Sequence, residues 1–146
     1  MQITEGVTSK ITLGGLVANY AKLYDSRVNC NVVRSDAKED RDQTAKTFTA
    51  TIRSATGGVH PVIVKLGKDA RGGYSLSSPC KVDCNCKTYV FRNNAQLNAM
   101  GASLYTRYTV RPSKTGRKAN PDNVVTCCKH IYGYISFLLR RGDMGR

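Results

Sequence analysis

Two stretches decide how this chain folds: Val82–Phe91, VDCNCKTYVF, and Thr126–Tyr134, TCCKHIYGY. They contain Cys84-x-Cys86 and Cys128-x-His130, with 41 residues lying between Cys86 and Cys128. Three thiolates and one neutral imidazole suit tetrahedral Zn²⁺, and four protein ligands leave no position open for a catalytic water. The spacing therefore predicts a structural zinc that ties two distant parts of the chain at one point.

Each half of the set has its own local requirement. In an extended strand, residues two apart point to the same face, so Cys84 and Cys86 converge on one ion if a tight turn brings their sulfurs together. In a helix, residues two apart diverge. Cys128 must then stand at or just before a helix start with His130 in the first turn, where the helix dipole also favours a thiolate. Other registers stay open. Cys127 and His130 are three apart and would share a helical face, and Cys80 lies on the same pleat parity as Cys84 and Cys86, so both are possible substitutes.

A C-x-C, a long gap, and a C-x-H opening an apolar helix resemble the SWIM zinc-binding pattern. The wider frame is an alternating strand pair turned at Ser54-x-x-Gly57, the strand Val82 to Tyr89, Asn120-Pro121, and Cys128 to Ile131. That order is similar to small zinc-knuckled virion proteins of tailed bacteriophages, and it covers roughly residues 47–141. This chain departs from the pattern in its doubled Cys127-Cys128, its additional Cys80, and Lys87 where a proline often follows the second thiol. The resemblance implies a non-enzymatic structural component of a virion, in the tail, baseplate or neck rather than the capsid. Such a protein is made in the host cytoplasm, and its partners would be other virion proteins and copies of itself.

With 146 residues, the chain has the length of one domain with a modest core. Lys and Arg number 23 against 10 Asp and Glu, a formal charge of +13, which favours polyanionic neighbours such as DNA or serves as a solvated surface. The opening MQITEGVTSK has neither a charged n-region nor an apolar h-region, so a secretion signal is not expected. Ile131 to Leu139, interrupted by Gly133 and Ser136, is too short to span a bilayer, and no membrane association is expected. In the cytoplasm thiols stay reduced, so the six cysteines read as metal ligands rather than a disulfide framework.

Taken in order, residues 9–25 place Leu13, Leu16, Val17, Tyr20, Leu23 and Tyr24 at helical spacing. Gly14-Gly15 weakens that first turn unless close packing requires it. Residues 29–46 are polar and mixed in charge and read as a solvated loop, with Cys30 as a buried free thiol. From Lys46 the period becomes two: Phe48, Ala50 and Ile52, a turn at residues 55–58, then Val62, Val64 and Leu66, which predicts a hairpin. His60, before Pro61, falls near a strand start rather than in the ligand set. A third strand delivers Cys84 and Cys86 to the knuckle, with Pro79 marking an edge or a break, and an imperfect helical pattern follows up to Gly101. The last helix starts near Cys128, buries Ile131, Tyr132, Ile135, Leu138 and Leu139, and stops at Gly142.

The predicted fold class is thus α+β: a small antiparallel sheet, made of the hairpin and the knuckle strand, packed with an N-terminal and a C-terminal helix and stapled by zinc. Residues 1–46 hold the first helix and the polar loop. Residues 47–141 form the zinc-knuckled core, interrupted by a basic excursion over 105–123. There Arg107, Arg111, Lys114, Arg117 and Lys118 crowd together, and with Arg140 and Arg141 they form an anion- or partner-binding set. An unspecific nucleic-acid-binding zinc module is the alternative function, since no helix carries the Arg/Asn/Gln run expected for base readout. An enzyme is not expected, and neither is a small-molecule substrate. Glu5 and Glu39 are the only glutamates, and neither flanks a ligand where a zinc hydrolase or deaminase would need its base.

Overall fold

A computed structural model describes residues 7, 9–24, 28, 30–55, 57–105 and 125–146. The basic stretch beyond Tyr105, with Arg107, Arg111, Lys114, Arg117 and Lys118, lies outside the described residues, as does Asn120-Pro121. Helix α1 spans Leu13–Leu23, and strands β1 (Asn31–Glu39), β2 (Ala45–Arg53), β3 (Val59–Gly67) and β4 (Cys80–Cys84) follow. A π-helical turn over Tyr89–Asn93 runs into α2 (Asn94–Ala99), and α3 spans Lys129–Arg141. The strands form one antiparallel sheet in the order β1-β2-β3-β4, each pairing with its neighbour in sequence.

Alternation in β2 and β3 sends Phe48, Ala50, Ile52, Val62, Val64 and Leu66 to one face, where they are buried. Val82 and Cys84 of β4 extend that face. Onto it packs α3, which buries Ile131, Ile135 and Leu138, and Leu13 and Leu16 of α1 belong to the same core cluster. The hairpin turn is as the sequence predicts: the Ser54 N–H donates to the Gly58 carbonyl at 2.7 Å, and Gly57 takes a left-handed φ of 94°.

The solvated loop expected over residues 29–46 is instead largely strand, and the sheet has four members rather than three. β1 pairs with β2 from Asn31↔Arg53 to Glu39↔Lys46. Only Val32 and Ser35 of β1 are even half-buried. A two-residue hydrophobic period requires one well-covered face, and β1 covers only these two side chains in part, so it lacks the signal while keeping its backbone bonds. Its irregularity between Val32 and Arg34 and its charged side chains are features that discourage edge-to-edge pairing.

Close packing accounts for two glycines that a helix would otherwise reject. A Cβ on Gly14 would meet the Leu76 carbonyl oxygen at 3.0 Å, while the Gly14 and Leu13 N–H groups donate to the carbonyls of Leu76 and Ser78. The start of α1 is thus bonded to the loop before β4, and Thr12 completes the cap by accepting from the Gly15 N–H. On α3, a Cβ at Gly133 would stand 2.6 Å from the Cβ of Cys30. Cys30 is free, as expected, but half-buried rather than buried.

Replacing Gly133 by leucine should therefore lower the unfolding free energy by about 1 kcal/mol, because an overpacking cost of about 2 kcal/mol outweighs the gain of about 1 kcal/mol in helix propensity. Urea titration followed by circular dichroism would measure it; an unchanged midpoint would contradict this packing.

Candidate metal centre

Cys84 closes β4 at full burial, and the chain then bends so that Cys86 turns inward beside it, 7% exposed. The bend is held from two sides. The His60 ring shares a 2.8 Å hydrogen bond, through Nδ1, with Oδ1 of Asn85, the residue between the two cysteines. Past the bend, the Tyr89 N–H donates to the Cys86 sulfur at 3.4 Å, and the Val90 N–H donates to the Cys86 carbonyl. A backbone N–H aimed at sulfur stabilises the thiolate over the thiol.

The second half comes from the start of α3. Cys128 is the N-cap, extended at φ −84° and ψ 169°, and its side chain makes no capping bond. His130 is the second helical residue, which matches the placement required by the two-residue spacing. The segment leading into α3 is anchored to α1: Asn19 Nδ2 donates to the Val125 carbonyl at 2.7 Å, and the Thr126 hydroxyl donates to the Leu16 carbonyl at 3.4 Å. Tyr20 of α1 then stacks on Tyr132 of α3, with ring centroids 4.2 Å apart. The first turn of α3 is thereby clamped against α1 on one side and β4 on the other.

The result is a cluster in which the ligand atoms of Cys84, Cys86, Cys128 and His130 all lie within 4.8 Å of one another, and all four residues are buried. His130 Nδ1 is 4.0 Å from the Cys84 sulfur. Bonds of about 2.3 Å to sulfur and 2.0 Å to nitrogen place tetrahedral donors roughly 3.5–3.8 Å apart, so the cluster needs to contract by no more than about 1 Å around a zinc ion. No family model, curated protein or solved structure matches the chain.

The electrostatics of the thiols favour a cation among them. Hydrogen bonds from Cys128 and then Cys84 hold the Cys86 thiol well below its ordinary range. Its bond with Cys128 pulls the Cys84 thiol down, but Cys86 and burial push it up further, to about 12. Cys128 is driven well above its ordinary value by burial first and then by Cys84 and Cys86. Burial and the neighbouring thiols thus work against ionising Cys84 and Cys128 together with Cys86. A dication would let all three ionise, because an adjacent positive charge reverses both the burial penalty and the mutual repulsion.

Cys80 and Cys127, the possible substitutes, fall outside the group of four. The Cys80 thiol donates to the Ile11 carbonyl at 3.8 Å, and burial pushes it up to about 12. It shares a face with Cys84, but four strand residues put it about 13 Å further back. Cys127 is fully buried, and burial and then the Cys80 thiol raise its pKa. Of the expected anion-binding residues that are described, Arg140 is exposed, while Arg141 pairs with Asp143 at 3.4 Å.

The sequence reading missed the part His60 plays. Its ring lies over His130, centroids 4.6 Å apart, and its bond to Asn85 braces the bend between Cys84 and Cys86. The signal lies in the strand register: Val62 pairs with Cys84, so two residues earlier in β3 the antiparallel run sets His60 across from Cys86. Among the described residues the buried His130 Nε2 has no hydrogen-bond partner, which leaves the His60 ring, tilted 33° to it, as a main constraint on the orientation of that imidazole.

Outer residues that orient ligands typically contribute 10–100-fold in metal affinity. His60→Ala should weaken zinc binding about tenfold in a competition titration with a chromogenic chelator while one zinc still binds; an unaltered affinity would remove the bracing role. At pH 7, zinc uptake by the folded apoprotein should release about two thiol protons, one each from Cys84 and Cys128, in weak buffer with an indicator dye. Release of three would mean that Cys86 is not ionised in the metal-free fold.

Proposed function

We propose that this chain is a non-enzymatic structural component of a tailed-phage virion, in the tail, baseplate or neck rather than the capsid, whose fold one structural zinc staples. The observation that carries the reading is the closed set of four buried protein donors joining the exit of β4 to the start of α3. Three sulfurs and a nitrogen favour zinc over harder ions. With all four positions supplied by side chains, the ion holds the fold and offers no site to a substrate. The resemblance of the C-x-C and C-x-H frame supplies the phage setting.

On this reading the protein is made in the host cytoplasm, where the thiols remain reduced until metal binds. Its exposed surface then makes the assembly contacts, with other virion proteins and with copies of itself. Among the described residues no helix is long and apolar enough to cross a membrane.

Metal analysis of the reduced protein should give one zinc per chain. Cys128→Ser should abolish binding and unfold the protein at moderate temperature, since ligand binding energy is folding energy in small sites. Cys80→Ser and Cys127→Ser should retain full zinc. The phage assignment stands separately: the chain should co-sediment with intact particles through a density gradient, and its recovery only in the soluble fraction of infected cells would defeat that assignment while leaving the zinc staple intact.

A further inference from the structure

Two adjoining hollows, of about 50 and 390 Å³, lie where the end of β2 approaches α3. Lys129 borders the first, Arg140 the second, and Arg53 both. Their arrangement follows from helix geometry. Lys129, Gly133 and Arg140 stand at positions i, i+4 and i+11 and fall on one stripe of α3. Cys30 and Val28 sit on that stripe at Gly133, where an added Cβ would be 2.6 Å from the Cys30 Cβ and 3.3 Å from Val28 Cγ1. The chain therefore crosses the helix between the two cations and leaves a hollow on either side.

Among the described residues the charge here is uncompensated. No Asp or Glu appears among the described residues lining either hollow. The ion pairs among the described residues, Arg34–Asp36, Lys65–Asp40 and Arg141–Asp143, use none of the three cations. Arg53, Lys129 and Arg140 are all exposed. Burial raises the Cys30 thiol pKa, and Arg140 is near enough to oppose that shift.

Length selects the ligand. Lys129 and Arg140 are about 16 Å apart along the helix axis, against about 3.4 Å of axial rise per phosphate along one strand of a duplex. One small anion cannot bridge that distance, whereas the repeated phosphates of a nucleic-acid backbone can meet both ends of it. We propose that the end of β2 and this stripe of α3 bind the phosphate backbone of a nucleic acid, with Arg53 at the centre and Lys129 and Arg140 at the ends. Such contacts position a strand without reading its bases. The site is independent of the metal and of the virion assignment, and it adds Arg53 and Lys129 to the residues expected to meet an anion.

The test is fluorescence anisotropy of a short random-sequence DNA duplex with the full zinc-loaded chain, over a range of NaCl concentrations. Affinity should fall linearly on a log–log plot. Arg53→Ala/Lys129→Ala/Arg140→Ala should weaken binding at least tenfold at low salt and reduce the slope by roughly two to three. Lys38→Ala/Lys68→Ala/Arg71→Ala removes equal charge from other exposed positions and should stay within about twofold of the parent. Zinc content and melting temperature serve as the folding check. If the first triple variant is unstable, the single variants decide, each expected to lower the slope by about one. Equal losses in the two triples, a flat salt response, or binding to phosphatidylserine vesicles but not DNA through these residues would each overturn the proposal.

Discussion

Four buried donors have to meet at one place, and most of the architecture is arranged so that they do. Cys84 and Cys86 arrive at the end of a strand held by β3; Cys128 and His130 arrive at the start of a helix held by α1 and the sheet. Strand and helix starts are suited to this task for different reasons. The strand end delivers two side chains across a bend that His60 and Asn85 brace, and the helix start offers N–H dipoles that favour thiolate. Without a cation the burial works against ionisation of Cys84 and Cys128. With one, the same burial strengthens each metal bond by excluding water.

The clamp on α3 reaches well beyond the ligands. Asn19 and Thr126 fasten the approach to Cys127-Cys128 onto α1, and the Tyr20–Tyr132 stack continues that attachment into the helix. At the other side of α3, Tyr134 shares a 2.8 Å hydrogen bond with Ser35 of β1 and donates at 3.1 Å to the Thr49 carbonyl of β2. The helix that supplies half of the metal set is thus bonded to α1 at one end and to the first two strands near its middle. A metal held by these four donors would act as a staple, its loss felt as loss of core order rather than as a local defect.

Packing at Gly133 links this framework to the surface proposed for phosphate. The absence of a side chain lets Val28 and Cys30 lie directly on α3, and Lys129 and Arg140 then flank the crossing. The buried side of the helix serves the core and the cluster of four donors; the stripe at its margin carries exposed positive charge. Amphipathic periodicity identifies the first of these. It is silent on the second, because a lysine and an arginine eleven residues apart look like ordinary solvated charges until their neighbours are known.

Much of the site was legible in the chain itself. C-x-C and C-x-H specify donor chemistry, and the divergence of helical residues two apart is enough to place Cys128 at a cap and His130 in the first turn. The hairpin, the last helix and its end at Gly142 follow from side-chain period and backbone preference, which are local properties. Tertiary structure decided what depends on residues far apart. It showed β1 as a strand, since an edge that half-buries only Val32 and Ser35 has no hydrophobic rhythm, and it separated Cys84 from Cys80, since parity alone cannot measure distance along a strand. It also set His60 over His130, because only the β3–β4 register brings a residue 70 positions away onto that ring.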